Sequence, residues 1–381
     1  MRLLYLSYGN LPSRWAHGIQ LMKMAAALAR HVAELRVVTR AHGSRLFAPR
    51  FDYEAWYGLR RPLRVDHLYD WRGPRGPVFD YVRHKGFEGR AVRHARRCRA
   101  DLVYTRSPFV ARRALERGLS TLLETHLAGD EERFELVREA VRDPRLRGLV
   151  TITPDLRDRY VELGVPAEKI LVWPDAVDLE AFEGLPPGPV LRRSLGLPPD
   201  AFVATHCGSL AAERGIETMV QAVARRKDVT LLFVGGSPAD LERARRLARG
   251  LPNVCFTGFV EHRLVPSYLA ASDVVLASYS SRTPGAFYGS PMKLFEYMAS
   301  RRPLVAADFP ALRRHLVHER NALLVPREDS RALAQGIARL MDDRELGRRL
   351  AETAFEDVRP YTWDARARAV LERFAPEALE A

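Results

Sequence analysis

The feature that most constrains this chain is an alternation of short apolar runs with helix-like patterns, which stops once and then starts again. In the first half, the predicted strands cover residues 3–7, 35–39, 102–105, 121–124, 149–153 and 170–173. The helical patterns between them include residues 20–33 and 155–163. Because strands that alternate with helices pair in parallel, this half predicts a parallel sheet with helices on both faces.

The alternation stops at a cluster of proline and glycine, EGLPPGPV at residues 183–190, which predicts an interdomain linker. Beyond it, the predicted strands cover residues 202–207, 230–235, 254–256, 274–278, 303–306 and 322–325. A chain of 381 residues is also too long for a single hydrophobic core. We therefore predict an α/β protein with two Rossmann-like, doubly wound domains, residues 1–183 and 184–360. We expect the terminal segment 361–381 to pack back on the first domain, although its pattern fits a plain terminal helix equally well.

Residues 45–77 follow neither the strand period nor the helix period and are rich in aromatic residues, glycine and proline. We interpret this stretch as an irregular insertion that lines a site.

The formal net charge is +13, and nearly all of the positive charge is arginine. No base-stacking motif supports nucleic acid as a partner. Residues 83–99 form a dense basic cluster with a weak apolar stripe, which fits a helix resting on anionic lipid or, as we favour, a solvated helix face.

No apolar run reaches the roughly 18 residues of a membrane span. The N-terminus, MRLLYLSYGNLP, is typical of a first strand rather than a signal peptide, so a cytoplasmic location is expected. The three cysteines are widely spaced and without a CxxC pair, which argues against a disulfide framework and a zinc site.

One segment, YGSPMKLFEYMAS at residues 288–300, combines a turn, a helix start, a cation and a carboxylate. Ser290 suits an N-cap and Pro291 the first helical position. A phosphate at this helix start would meet free N–H groups and Lys293, while Glu296 would accept hydrogen bonds from sugar hydroxyls. The segment therefore fits a nucleotide-sugar cradle, and equally an ordinary capped helix with an apolar core face.

Three further loops follow predicted strands, where open α/β sheets bind ligands. Gly18 precedes a helix in PSRWAHGIQLMKM and could let the backbone approach a phosphate. His126 ends ETH, where it either contacts a substrate hydroxyl or caps a loop. In GSLAAERG, residues 208–215, Arg214 can reach a diphosphate or pair with Glu213 at the surface.

Taken in their order along the chain, these motifs resemble those of the GT-B glycosyltransferases, and in particular those of the retaining glycosyltransferase family 4. The resemblance runs over nearly the whole chain through AHGIQLMKM, ETH, WPDAVDLEAF, CGSLAAERGIETMVQA, SDVVLASY, SPMKLFEYMASRRPLVAAD, NALLVP and YTW. It implies two domains facing a central cleft and transfer of a sugar from a nucleoside diphosphate sugar to a hydroxyl acceptor with retained configuration. It also implies that no metal and no cofactor are needed.

The resemblance implies roles for individual residues. His126, Arg214, Lys293 and Glu296 are the predicted catalytic residues. The predicted donor-binding residues are Gly18, Ser209, Arg214, Val260, Tyr288, Ser290, Pro291, Met292, Lys293 and Glu296. On the acceptor side the prediction names Gln20 and Arg106.

The chain also departs from the family pattern. The first glutamate of the E-x7-E motif is replaced by Tyr288, and Ser209 stands where many members have an arginine. Two other functions therefore stay open, a sugar-nucleotide 2-epimerase and a degenerate module that binds a sugar nucleotide or nucleic acid. The sequence leaves open the acceptor, the nucleotide base and the oligomeric state.

Overall fold

A computed structural model describes residues 1–42, 51–70, 77–126, 131–283 and 289–379. The chain divides into two compact units, Met1–Asp175 with Trp363–Ala381, and Ala176–Thr362. The first boundary lies in the turn PDAVD rather than at 183/184 as the sequence suggested, because hydrogen bonds hold the two sides of the turn to different units. Trp173 N–H donates to Thr151 of the first sheet, whereas Val177 N–H donates to Tyr361 of the second unit. The proline and glycine cluster instead leads into a short helix, Gly188–Ser194.

The first unit is built on a seven-stranded, all-parallel sheet in the order β3-β2-β1-β4-β5-β6-β7. Its strands are β1 Arg2–Asn10, β2 Glu34–His42, β3 Arg64–Asp70, β4 Leu102–Thr105, β5 Thr121–Thr125, β6 Leu146–Thr151 and β7 Ile170–Val172. Its helices are α1 Ala16–Leu28, α2 Tyr53–Tyr57, α3 Pro77–Arg97, α4 Pro108–Glu116, α5 Glu131–Val141, α6 Pro154–Glu162 and the terminal α15 Trp363–Phe374.

The prediction of an irregular insertion was wrong for the residues that the structure describes there, because they contain α2 and β3. Strand β3 pairs in parallel with β2 along seven residues and forms the edge of the sheet. An edge strand has one neighbour only and tolerates polar residues, so RVDHLYD lacks the apolar run of a central strand. Residues 45–50 and 71–76 of the predicted insertion lie outside the described part of the chain.

The basic cluster lies on α3, and its apolar stripe is turned inward. Phe87, Ala91, Val92 and Ala95 are buried against the first sheet. These side chains are therefore used by the core, which leaves only the charged face of the helix for other contacts. In the described part of the chain, no helix has both the length and the apolar character needed to cross a bilayer.

The second unit is built on a six-stranded parallel sheet in the order β10-β9-β8-β11-β12-β13. Its strands are β8 Phe202–Cys207, β9 Val229–Val234, β10 Val254–Gly258, β11 Val274–Ala277, β12 Leu304–Ala307 and β13 Leu323–Val325. Its helices are α7 Gly188–Ser194, α8 Ile216–Ala224, α9 Pro238–Leu247, α10 Val265–Ala270, α11 Met292–Ala299, α12 Pro310–Arg313, α13 Ser330–Asp342 and α14 Arg344–Val358.

The terminal helix α15 packs on α1 and against β6 of the first unit. Gly148 of β6 makes this approach possible, because a Cβ atom added there would lie 2.2 Å from a ring carbon of Phe374. A side chain at position 148 is incompatible with the docked helix unless Phe374 moves.

We expect Gly148→Ala to lower the free energy of unfolding by about 1–3 kcal/mol, since overpacking forces such shifts. Urea denaturation is the measurement, and Phe374→Leu in the same background should restore part of the loss. Gly89→Ala is the control, because a Cβ added there has no described neighbour within 4 Å apart from the adjacent residues and the backbone of its own helix. Equal stability of Gly148→Ala and the parent would contradict the docking.

Candidate functional site

The first group of candidate residues lies at the switch point of the second sheet, where chain order reverses between β8 and β11. Loops that leave such neighbouring strands diverge and open a crevice at the carboxyl edge of the sheet. Gly208 follows β8 with φ of 123°, a conformation that favours glycine. A Cβ atom there would lie 3.8 Å from Lys293 Nζ, so this backbone passes close to the lysine.

Two cations, Arg214 and Lys293, lie beside Tyr279, which follows β11. The guanidinium carbon of Arg214 is 5.5 Å from the centre of the tyrosine ring, and Lys293 Nζ is 5.2 Å from it. Nζ is buried, and no described residue hydrogen-bonds to it. Burial, followed by the nearby charge of Arg214, lowers the pKa of Lys293 to about 7. A buried ammonium group without a hydrogen-bond acceptor is a position where an anion would be stabilised.

Helix α11 begins at Met292 with Pro291 as its N-cap and without a side-chain cap. The predicted N-cap at Ser290 is therefore one residue too early. The backbone explains the shift, because Pro291 has extended φ and ψ of −76° and 107° and its carbonyl accepts the hydrogen bond of Leu294 N–H. The apolar face of the helix is also buried, as the core-helix interpretation requires, and the nucleotide-sugar cradle stays a prediction.

Glu296 lies one turn further along α11 and is held by a residue that the sequence did not single out. His262 Nε2 is 2.6 Å from Glu296 Oε1. The following Tyr297 is fully buried, and its hydroxyl accepts from Cys207 N–H at 2.7 Å and donates to Cys207 O at 3.1 Å. This pair of bonds fixes α11 to the end of β8, so that Glu296 and Lys293 are carried on a braced helix.

The other predicted residues of this unit have structural contacts of their own. Ser209 Oγ accepts a hydrogen bond from Ala211 N–H at 3.2 Å, so its side chain supports the turn. Val260 is partly buried and packs against the core. Tyr288 lies outside the described residues. Its predicted role therefore stays a prediction.

The second group lies in the first unit, at the carboxyl ends of β4 and β5 and the start of α1. Gln20 is its hub. The Gln20 amide nitrogen donates to Glu124 Oε1 at 3.0 Å and to Asp175 Oδ1 at 2.8 Å. Arg106 donates to the amide oxygen, so the two predicted acceptor residues are in direct contact. Burial raises the pKa of Asp175 to about 7.

His126 belongs to the same network through Glu124. Its Nε2 is 2.5 Å from Glu124 Oε1, and its side chain is 16% exposed. Burial, followed by the charge of Arg106, lowers the pKa of His126 to about 4, so the imidazole is neutral near pH 7. Burial acts to raise the pKa of Glu124, but Arg366, His126 and Arg106 together outweigh it, and the pKa lies well below the usual range.

Gly18 is part of α1 and already has a backbone partner, because its N–H donates to Trp15 O at 3.0 Å. A Cβ atom at this position would lie 2.5 Å from Ser13 Cβ. The glycine is therefore required by the local turn, and contact with a phosphate stays a prediction.

Sequence reasoning missed four residues of these networks, namely Glu124, Asp175, His262 and Arg366. Two of them stood inside quoted motifs, ETH and WPDAVDLEAF, and carboxylates at strand ends were a usable signal. The other two gave no local signal, because their partners are 34 and 242 residues away in sequence.

One group among the described residues has the spacing to hold a metal ion, namely Asp66, His94 and Cys98. Arg36 Nη1 lies 3.7 Å from Asp66 Oδ2 and 3.6 Å from Cys98 Sγ. The guanidinium thus already supplies positive charge to two of the three groups, and we assign no metal there.

The two parallel sheets, of seven and six strands flanked by helices, match the GT-B fold. In line with this, HepE of Anabaena, solved in complex with UDP, superposes with a TM-score of 0.75 at 19% identity, over 99% of this chain and 100% of that one.

The family follows from the sequence matches. Residues 18–181 match the profile described as Glycosyltransferase Family 4, and residues 201–343 match Glycosyl transferases group 1. The chain belongs to this family of glycosyltransferases.

Two relatives show how far the likeness extends. The alpha-D-kanosaminyltransferase of Streptomyces kanamyceticus is 33% identical over 43% of this chain and 42% of its own length. The chain therefore spans less than half of that relative. A D-inositol 3-phosphate glycosyltransferase of Xylanimonas cellulosilytica is 27% identical over 94% of this chain and 90% of its own length.

We expect Tyr297→Phe to lower the free energy of unfolding by about 1–3 kcal/mol, because it leaves buried backbone groups of Cys207 without their partner. Thermal or urea denaturation measures the loss. Tyr268→Phe is the matched control, since no described residue hydrogen-bonds to the hydroxyl of Tyr268. Equal losses in both variants would argue against the brace between α11 and β8.

Proposed function

We propose that this protein transfers a sugar from a nucleoside diphosphate sugar to a hydroxyl acceptor with retention of the anomeric configuration. Family membership supports sugar transfer, and one observation carries the choice of donor. Lys293 places a buried ammonium group without a described hydrogen-bond partner beside Arg214, at the carboxyl edge of a parallel sheet. Two cations at this edge match the two negative charges of a diphosphate, whereas a neutral sugar has no charge for them to bind.

The chemistry of the leaving group explains why these cations matter. When the bond between the sugar and the β-phosphate breaks, negative charge develops on the phosphate oxygens. Arg214, Lys293 and the free N–H groups at the start of α11 would stabilise this charge more in the transition state than in the ground state. In a retaining reaction of this kind, the departing phosphate oxygen takes the proton of the acceptor hydroxyl on the same face, so no protein nucleophile is required.

The other candidate residues would contact the nucleoside, the transferred sugar or the acceptor. Glu296, oriented by His262, would accept hydrogen bonds from ribose hydroxyls. Gln20, Arg106 and His126 would serve the transferred sugar and the acceptor. UDP is the first nucleotide to test, because HepE was solved with UDP.

Several expectations from the sequence belong to this proposal. We expect the reaction to need no metal and no cofactor. A cytoplasmic location and peripheral contact with anionic lipid also stay predictions, and for α3 that contact would rest on charge, because its apolar stripe is buried.

The decisive experiment is product analysis with candidate donors, with and without acceptors. Acceptor-dependent release of nucleotide, together with an anomeric configuration in the product that matches the donor, supports the proposal. An epimerised sugar formed from donor alone would indicate a 2-epimerase instead. Tight donor binding with neither product would indicate a binding module.

We expect Arg214→Ala to reduce kcat about 100- to 1,000-fold, as for other lost donors to a developing oxyanion. Glu296→Ala should reduce kcat/KM by roughly one to two orders of magnitude, because a hydrogen bond to a charged group is lost. Steady-state kinetics with a fixed acceptor measure both. The controls are Arg249→Ala and Glu242→Ala, exposed residues of the same unit, and near-normal rates in both test variants would overturn the assignment.

We expect UDP affinity to fall as pH rises above about 7. The pKa of Lys293 is lowered to about 7 in the free protein, so the side chain is charged below this pH and loses its proton above it. A bound diphosphate stabilises the charged form, so binding above pH 7 takes up a proton and the dissociation constant rises by up to about tenfold per pH unit.

Isothermal titration calorimetry from pH 6.5 to 9, in buffers of different ionisation enthalpy, measures both the affinity and the proton uptake. Lys293→Met should bind more weakly and lose the slope. A dissociation constant for the parent protein that stays constant over this range would contradict the role of Lys293.

A further inference from the structure

We propose that Glu124 and Arg366 are positioning residues that hold His126 as the tautomer protonated at Nε2, so that Nδ1 is left as a hydrogen-bond acceptor for a substrate hydroxyl. The tautomer follows from the hydrogen bonds of the first unit alone. The substrate part rests on the proposed function.

The first step is the orientation of the Gln20 amide, whose oxygen and nitrogen could be exchanged in principle. Its nitrogen contacts two carboxylates, Glu124 at 3.0 Å and Asp175 at 2.8 Å, and its oxygen accepts from Arg106. In the exchanged orientation an oxygen would face both carboxylates and an NH2 group would face a guanidinium. The orientation is therefore fixed, and both amide hydrogens are used by the carboxylates.

The second step is the protonation of Glu124. Three donors reach the carboxylate of Glu124 independently of His126. Oε1 receives Gln20 Nε2 at 3.0 Å and lies 2.5 Å from His126 Nε2. Oε2 receives the hydroxyl of Tyr104 and Arg366 Nη1, the latter at 3.0 Å. The buried guanidinium of Arg366 pairs with this carboxylate, and with three donors directed at its oxygens Glu124 is held ionised and only accepts hydrogen bonds.

The third step assigns the proton on the imidazole. A nitrogen 2.5 Å from an ionised, acceptor-only oxygen must carry the hydrogen, and that nitrogen is His126 Nε2. The contact of the same nitrogen with Gln20 Nε2, at 3.0 Å, is then a contact between two donors whose hydrogens point to Glu124 and Asp175. Because the ring is neutral, Nδ1 keeps its lone pair, and no described residue hydrogen-bonds to it.

Arg366 acts on His126 through Glu124. Both side chains of the Arg366–Glu124 pair are fully buried, and Arg366 Nε also donates to Pro174 O at 3.0 Å. Without the guanidinium, the carboxylate would lose its buried counter-charge and one of the two donors to Oε2, and would be able to take up a proton. A protonated Glu124 could donate to His126, which would move the histidine proton to Nδ1.

This tautomer restricts the groups that can hydrogen-bond to His126. A lone pair on Nδ1 accepts a hydrogen bond from a hydroxyl, whereas phosphate and carboxylate oxygens have no hydrogen to give at neutral pH. The oxygens of the diphosphate are therefore excluded as partners of Nδ1, whereas a sugar hydroxyl of the donor or the acceptor fits.

The test is 15N NMR of the 381-residue chain labelled at its eleven histidines. The His126 signals are assigned by their loss in His126→Gln. We expect a protonated Nε2 and a pyridine-like Nδ1 in the protein without ligand. A protonated Nδ1, or a mixture of tautomers, overturns the proposal whether or not the protein transfers sugar.

Three variants test the positioning roles. Arg366→Met and Glu124→Gln should each abolish the single Nε2–H tautomer, whereas Arg366→Lys should retain most of it. Arg368→Met is the matched control on the same helix, since Arg368 is exposed and paired with Glu372. If Arg366→Met fails to fold, Glu124→Gln decides, and an unchanged tautomer in that variant contradicts the roles of both residues.

The substrate part has a separate test, applied once transfer is shown. Deoxy donors and acceptors, each lacking one hydroxyl, are compared with the natural substrate. For one of them, kcat/KM should be about tenfold lower than for the natural substrate with the parent enzyme. With His126→Phe, the same deoxy compound and the natural substrate should have equal kcat/KM. If every deoxy compound lowers kcat/KM by the same factor with both enzymes, His126 does not accept a hydrogen bond from a substrate hydroxyl. If no transfer is found at all, the proposed function fails, while the tautomer measured in the protein without ligand still stands.

Discussion

The ion pair between Arg366 and Glu124 is the interaction on which the candidate site of the first unit depends. Both side chains are fully buried and 3.0 Å apart, and they join the terminal helix to the carboxyl end of β5. Removing one partner from such a pair typically costs about 3–5 kcal/mol, because the other charge stays buried without compensation. The pair therefore makes the terminal helix part of the site, although it lies more than 180 residues beyond the rest of its unit in sequence.

The two groups of candidate residues solve the problem of buried charge in opposite ways. Around Glu124 three donors and the His126 ring lie within hydrogen-bond distance, and Arg366 compensates the carboxylate charge within the protein. Around Lys293 the ammonium nitrogen has no described acceptor, and the nearby Arg214 adds repulsion. A compensated network suits side chains that must orient a substrate, whereas an uncompensated cation suits a site completed by an anionic ligand.

The sequence predicted the architecture well because buried parallel strands appear as short apolar runs between helical patterns. It failed at β3, where an edge strand with polar residues lacks that run. Within the site, position in the chain was enough to suggest Lys293, Glu296 and His126, since ligand-binding residues follow strands. Arg366 could not be found this way, because in an arginine-rich helix nothing local separates the one buried guanidinium from exposed neighbours such as Arg368.

The choice of lysine at position 293 has a physical reason. The chain uses arginine for nearly all of its 60 basic residues, yet lysine stands here and arginine at 366. Arginine stays charged in proteins and offers a planar set of donors, which suits a permanent buried pair with Glu124. Lysine can lose its proton when buried, so a site without ligand need not hold an uncompensated charge, and it regains the proton when a phosphate arrives. An arginine at 293 would keep its charge throughout, and the empty site would bear the full cost of burying it.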